Sequence, residues 1–438
     1  MLTVTTGHMK RTAQKPSPVT GGTSPRVGLS LRRNFSWTFF GNVTYAVCQW
    51  GVLVVLAKLG SPEMVGQYAL GLAVAAPVFM LTNLQLRGVQ ATDVRNEFSF
   101  VDYRSLRFGA TVVGLLLVAG ITVVSGYDRS TMLVVLFLGL AKGFESLSDV
   151  YFGFAQRHER MDLIARSMIY KGVLSFAAMV VLMYATHSII WASAGVAAAW
   201  MLRFLSYDIR LASMLPEAGE TKGWDWSRSG ALLKVSLPLG LVMMLTSLNT
   251  NIPRYFIQHE LGERALGFYS AISYLLVAGT TIVSALGQSA SPRLAQYFAN
   301  GDAGAFKRLL GKLVLIATGL GLAGIVVSVE AGAPLLSLIY TEDYASYAGL
   351  LTLIMIAALM QYTASFAGYG MTAARYFRVQ LPLFLVVVSV MLVASFVLIP
   401  RYGLAGAATA VILASMANLV GAAGINYRAL RSLPRNEG

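Results

Sequence analysis

The chain has 438 residues, 56% of them hydrophobic and only 12% charged, about half the charged fraction of a soluble domain. So little charge excludes a soluble enzyme or a soluble binding module. The formal charge of +14 would suit nucleic acid, but the basic residues are spread by loop, not gathered in one patch.

Residues 1–30 contain Lys10, Arg11, Lys15, Arg26 and the run QKPSPVTGGTSP, a composition that predicts a disordered, basic, cytoplasmic tail. No apolar stretch follows Met1 before a small-residue cleavage site, so the tail resembles no signal peptide. Apolar blocks then recur near 36–57, 67–86, 107–126, 131–155, 166–186, 188–206, 233–256, 266–288, 310–329, 348–372, 379–399 and 403–426. Each is about the 20 residues a helix needs to cross roughly 30 Å of hydrocarbon. The expected fold is an all-α polytopic membrane protein of about twelve transmembrane helices.

With the N-terminus inside, 27 lysines and arginines fall in cytoplasmic segments and five outside, namely Lys58, Arg129, Arg254, Arg264 and Arg401. Lys142 and Lys171 fall within spans and complete the 34. This bias obeys the positive-inside rule, puts both termini in the cytoplasm, and accounts for the charge without nucleic acid. Cys48 is the single cysteine, and His8, His158, His187 and His259 are scattered. Neither a disulfide nor a metal site is expected, and no cofactor.

The sequence repeats itself. Residues 59–68 read LGSPEMVGQY after the first span and 261–269 read LGERALGFY after the seventh; Ala194 to Ala198 and Ala405 to Thr409 echo each other in the sixth and twelfth. Six spans per repeat return the chain to its starting side. The repeat therefore predicts two parallel six-helix bundles, 31–206 and 231–428, related by a pseudo-twofold axis with a binding site between them. The polar stretch 207–230 is the cytoplasmic linker, and 429–438 a cytoplasmic tail.

Polar residues recur at helical spacing within the spans. Span 1 carries Thr38, Asn42, Tyr45 and Gln49; span 2 carries Asn83, Arg87 and Gln90; span 7 carries Ser247, Asn251 and Arg254; span 8 carries Thr280, Ser284 and Gln288. Such stripes face either a cavity or another helix. In span 4, Lys142, Glu145 and Asp149 lie within about 60° of one another. Each charge costs about 2.5–3.5 kcal/mol at mid-membrane, so partners are required. Lys142 can pair with Glu145 in the helix. With span 5 starting near Arg166, Lys171 reaches about 7 Å deep, level with Asp149, and a Lys171 to Asp149 pair is expected. The cluster reads either as a structural seam between spans 4 and 5 or as a site where Glu145 or Asp149 binds a coupling cation. Arg87 and Arg254, near span ends, read as interfacial anchors or as a grip on an anionic substrate.

With these segments in view, the chain over residues 30–430 resembles the oligosaccharide flippases, the polysaccharide transporter branch of the multidrug/oligosaccharidyl-lipid/polysaccharide exporter superfamily. The resemblance rests on LGSPEMVGQYALG, NLQLRGVQATD, PLLSLIYTEDYASYAGLL and RYGLAGAATA, in that order. It implies a V of two bundles around a cationic cavity. It also implies a polyprenyl diphosphate-linked glycan as substrate, flipped from the cytoplasmic to the outer leaflet of the bacterial inner membrane for O-antigen, capsule or exopolysaccharide assembly. Polysaccharide polymerase and chain-length proteins are the implied protein partners. Arg87 matches the family's cavity cations through NLQLR, and Lys142, Lys171 and Arg254 match them less closely. Glu145 and Asp149 depart from a strongly cationic pattern. A cation-coupled multidrug exporter of the same superfamily is the rival reading; an enzyme is not expected, since every outer connection is short and carries no catalytic constellation.

Overall fold

The computed structural model describes residues 29–93, 97–215, 225–376 and 379–431; the tail 1–28, most of the linker and residues 432–438 lie outside them. Among the described residues there is no strand, and ten helices are long and apolar enough to cross a membrane. Their bounds are set by ordinary stop and start chemistry. Helix α1 (Leu31–Leu59) ends at Gly60, and α2 (Pro62–Thr82) starts with Pro62 behind the N-cap Ser61. A tight turn with positive φ at Leu84 and Gln85 leads into the short α3 (Leu86–Thr92).

Helix α4 (Phe100–Val124) begins at a capping box in which Ser99 and Asp102 satisfy each other's backbone N–H. At α5 (Arg129–Arg157) the N-cap is Asp128, which accepts from the N–H groups of Ser130 and Thr131. Partial burial alone would raise the Asp128 carboxyl, but the bonds from Thr131 and Ser130 outweigh it and hold the group below its ordinary pKa. Helix α6 (Met161–Thr186) follows, then α7 (Ile189–Arg203), which runs on through a π-helical turn at Phe204–Asp208 into the short α8 (Ile209–Leu211).

Helix α9 (Trp226–Ala299) has 74 residues, which at 1.5 Å each is about 110 Å and far too long for one crossing. It breaks at Gly262, whose φ of 80° and extended ψ of −178° interrupt the helix. After α10 (Ala303–Ile339), the short α11 (Glu342–Ala345) and α12 (Ala348–Ala373), helix α13 (Gln380–Arg431) breaks likewise at Gly403. Two pairs of the expected spans are thus joined end to end without a loop, each around one glycine.

Helices α1 and α2 through α7 pack among themselves, as do the later part of α9, α10, α12 and α13, and α2 lies along α9 as the main joint. Leu29 N–H bonds the Glu159 carbonyl at what we term the basic end, while Lys58 reaches the Leu338 carbonyl at the far end. At the far end the two LG…G-x-Tyr motifs touch each other. A Cβ on Gly66 would overlap the Glu263 carbonyl, and one on Gly267 would overlap that of Pro62. Arg264 bridges Glu63 at 3.0 Å and Asp343 at 3.7 Å around this crossing, and Thr131 links Gln67 to Glu263.

Candidate functional site

Helix α5 is the spine of the polar interior. Lys142 lies at its midpoint, where hydrocarbon is deepest, and the residues that follow hold three charged clusters. In the first, Glu145 is bridged by two ammonium groups: Lys142 at 2.6 Å within the helix, and Lys171 of α6. Lys171 is buried and its ammonium stands 3.9 Å over the Tyr45 ring and 4.6 Å over Trp200, with Lys142 5.5 Å from the same indole.

The expected Lys171 to Asp149 pair is therefore not formed. Helix α6 starts at Met161, not near Arg166, so Lys171 stands about 15 Å along it, and Glu145 about 18 Å back from the end of α5. Asp149 is about 12 Å back, so Lys171 stands midway between the two carboxylates in depth, and Asp149 is already taken by other cations. Its partners are Arg107 at 3.0 Å and Arg87 at 3.6 Å. Fully buried Arg107 also donates to Asn83 Oδ1 at 2.5 Å, an oxygen that accepts from Ser146 at 2.6 Å. Arg87 donates through Nε to Gln156 and lies over Phe152.

The third cluster is closed. Arg203 and Asp208 form a wholly buried pair at 3.0 Å, completed by Ser148 and Ser167. Neither Arg107 nor Arg203 stands among the residues the spacing singles out. The Ser99 to Asp102 capping box places Arg107 two turns inside α4 and so could have found it. Arg203 had no such signal, because its partner five residues on is brought round by the π turn.

In the later part of the chain, Arg254 faces a cavity of about 120 Å³ within α9, α12 and α13, lined among others by Asn249, Tyr269, Ser273 and Gln361. Its Nη1 donates to Asn251 Oδ1 at 2.7 Å, its buried Nε has no partner, and no carboxylate among the described residues lies within ion-pair reach. The remaining predicted residues are scattered. Gln49 keeps a buried, unpartnered Nε2, and Gln90 is fully buried against Gly153 with neither amide atom bonded. Asn42 and Gln288 are exposed on α1 and α9, apart from the clusters.

Charge does not balance. The three clusters hold five cations, Lys142, Lys171, Arg87, Arg107 and Arg203, against the carboxylates Glu145, Asp149 and Asp208. In each of the first two, one cation and its carboxylate stay partly open: the Lys142 side chain is 24% exposed and that of Glu145 28%, that of Arg87 32% and that of Asp149 24%. At membrane depth a partly open charge faces water, not hydrocarbon. With cations in surplus, such an arrangement suits an anion.

The comparisons with known proteins agree with this architecture. The chain is 28% identical over 389 residues to the capsular polysaccharide biosynthesis protein CapF of Staphylococcus aureus, covering 89% of this chain and 97% of that one. Its fold is similar to the lipid II flippase MurJ in an inward closed conformation, with a TM-score of 0.70 at 11% identity, covering 92% of this chain and 88% of that one. It is also similar to an inward-facing multidrug resistance MATE family transporter of the MOP superfamily, with a TM-score of 0.63 at 12% identity over 94% and 98% of the two chains. The sequence signature of one family, described as polysaccharide biosynthesis protein, matches residues 31–298, and the chain belongs to that family.

Proposed function

We propose that the protein is a transporter that moves a polyprenyl diphosphate-linked oligosaccharide from the cytoplasmic to the outer leaflet of a bacterial inner membrane by alternating access. The carrying observation is the surplus of cations over carboxylates in the polar interior, with Lys142 and Arg87 partly open and Arg254 without a carboxylate partner among the described residues. Guanidinium and ammonium groups recognise a diphosphate or a sugar acid. CapF, similar along nearly its whole length, is a capsule biosynthesis protein, and MurJ, similar in fold, is a lipid flippase. In this reading the breaks at Gly262 and Gly403 divide α9 and α13 into two spans each. That gives twelve spans in two parallel halves, with the basic end and both termini in the cytoplasm. Glycan polymerase and chain-length proteins would be its partners in assembly.

Glu145 and Asp149 are each held by two cations, which leaves neither free for a coupling cation. Membrane potential is then the natural drive. A diphosphate leaving an inside-negative cell gains about 2.3 kcal/mol per charge per 100 mV. The same pairing disfavours the multidrug reading, since a lipophilic cation needs an unpaired carboxylate.

The test is leaflet transfer of a defined diphosphate-linked glycan in reconstituted vesicles. Lys142→Ala leaves Glu145 with Lys171, and Arg87→Ala leaves Asp149 with Arg107, so both variants should fold. Each is expected to slow transfer about tenfold, the loss of one charge-assisted contact. Undiminished transfer in both, or drug resistance on overexpression with intact surface glycan on deletion, would overturn the proposal.

A further inference from the structure

A cleft of about 840 Å³ opens sideways near the basic end, on the outer side of the second charged cluster. One wall is α4, the other is the start of α9, and the end of α2 lies between them. The lining is apolar: Leu81, Phe108, Val113, Leu117, Leu233 and Leu237 all border it. Phe108 is 62% exposed and Val113 51%, so these side chains meet hydrocarbon when the helix spans a bilayer. Arg107, committed to Asp149, closes the inner wall.

Two features give this cleft an orientation and a depth. At its basic end stand Arg104, exposed and with no carboxylate within ion-pair reach among the described residues, and Trp226, the first residue of α9. Arginine beside tryptophan is the composition of a headgroup-level belt. From Phe108 to Leu117 the apolar wall runs about 14 Å along α4, close to half of the roughly 30 Å hydrocarbon thickness. The cleft thus accommodates a chain that ends at the bilayer midplane, and not one long enough to cross it.

We infer that this cleft binds an anionic phospholipid of the leaflet at the basic end, one acyl chain between α4 and α9 and the phosphate on Arg104. The leaflet-length wall selects an ordinary phospholipid over an isoprenoid carrier, and Arg104, held over the Phe100 ring and by Tyr151 with no carboxylate in reach among the described residues, selects an anionic headgroup. Because its walls come from α4 and α9, the lipid bridges early and late parts of the chain. The inference is independent of the transported substrate.

Gly109 supplies the means of testing it. It lines the cleft, and a Cβ there would meet nothing within 4 Å, so Gly109→Trp sets an indole into the space an acyl chain would occupy. Gly120 on the same helix also has open space and lies outside the cleft, which makes Gly120→Trp the control. The full chain in mild detergent would be titrated by native mass spectrometry with phosphatidylglycerol, phosphatidylethanolamine and undecaprenyl phosphate. Phosphatidylglycerol is expected to be retained about fivefold better than phosphatidylethanolamine, and Arg104→Gln to erase that preference. Gly109→Trp should lose the bound lipid while Gly120→Trp keeps it. Arg104 is exposed, so its variant decides the matter even where Gly109→Trp fails to fold. Equal retention of the two phospholipids by the unaltered chain, an undiminished preference in Arg104→Gln, or displacement by equimolar undecaprenyl phosphate would each overturn the inference.

Discussion

Glu145 shows how far spacing carries at the scale of a residue. The steps from Lys142 to Glu145 to Asp149 put three charges on one face, and the Lys142 to Glu145 pair follows from the helix alone. The interhelical partner does not follow from depth, since Lys171 stands midway between the two carboxylates; Arg107 and Arg87 occupy Asp149, and Lys171 meets Glu145. Removing Glu145's charge would leave Lys171 buried and unpaired beneath Tyr45 and Trp200. Glu145→Gln is therefore expected to destabilise the protein by about 3–5 kcal/mol. Adding Lys171→Met should restore much of that loss in a double-mutant cycle read by thermal unfolding in detergent. Arg254 should behave in the opposite sense. It holds a charge in a small cavity with no counter-ion among the described residues, so Arg254→Gln is expected to leave the melting temperature equal or higher while slowing leaflet transfer. Such a trade marks a group kept for function at the expense of stability. A fall in melting temperature with transfer intact would assign Arg254 a structural role instead.

At the scale of elements, the repeated LG…G-x-Tyr motif was visible as an echo, and its packing was not. Similarity between two segments says that they hold related positions; contact between them follows only once α2 is laid along α9. The motif's second glycine, Gly66 in one copy and Gly267 in the other, sits where each backbone meets the other. A side chain at Gly267 would push against the Pro62 carbonyl and part the crossing. Gly267→Leu should therefore open the far end. With Cys48→Ala as background, Glu63→Cys and Arg264→Cys lie where an ion pair of 3.0 Å now holds the helices together, and a short bis-maleimide should join them. Cross-linking is expected to fall several-fold when Gly267→Leu is added, and an unchanged yield would mean that the crossing tolerates the side chain. The breaks at Gly262 and Gly403 were less legible. Each joins two apolar blocks, and a glycine in such a sequence reads equally as a loop or as a helix interior.

For the whole molecule, helix direction says which segments share an end, and charge distribution gives the expected orientation of that end. Counting lysine and arginine by loop puts 27 on one side and five on the other, and the helices bring Ser30, Glu159 and Trp226 to the end where that excess lies. The positive-inside rule assigns this end to the cytoplasm. A chain with one cysteine allows a direct check. Cys48 lies on α1 against Gly172 of α6, and Cys48→Ala removes one atom from that contact without filling any space. In this background, His187→Cys and Glu342→Cys, at turns of the far end, should react with a membrane-impermeant maleimide added to intact cells. Glu159→Cys and Asp302→Cys, at turns of the basic end, should react only after the membrane is opened. The reverse pattern would invert the protein in the membrane. The cations proposed to bind phosphate would then lie on the wrong path for a lipid delivered from the cytoplasm, and the proposal of transport driven outward by membrane potential would fail with the topology.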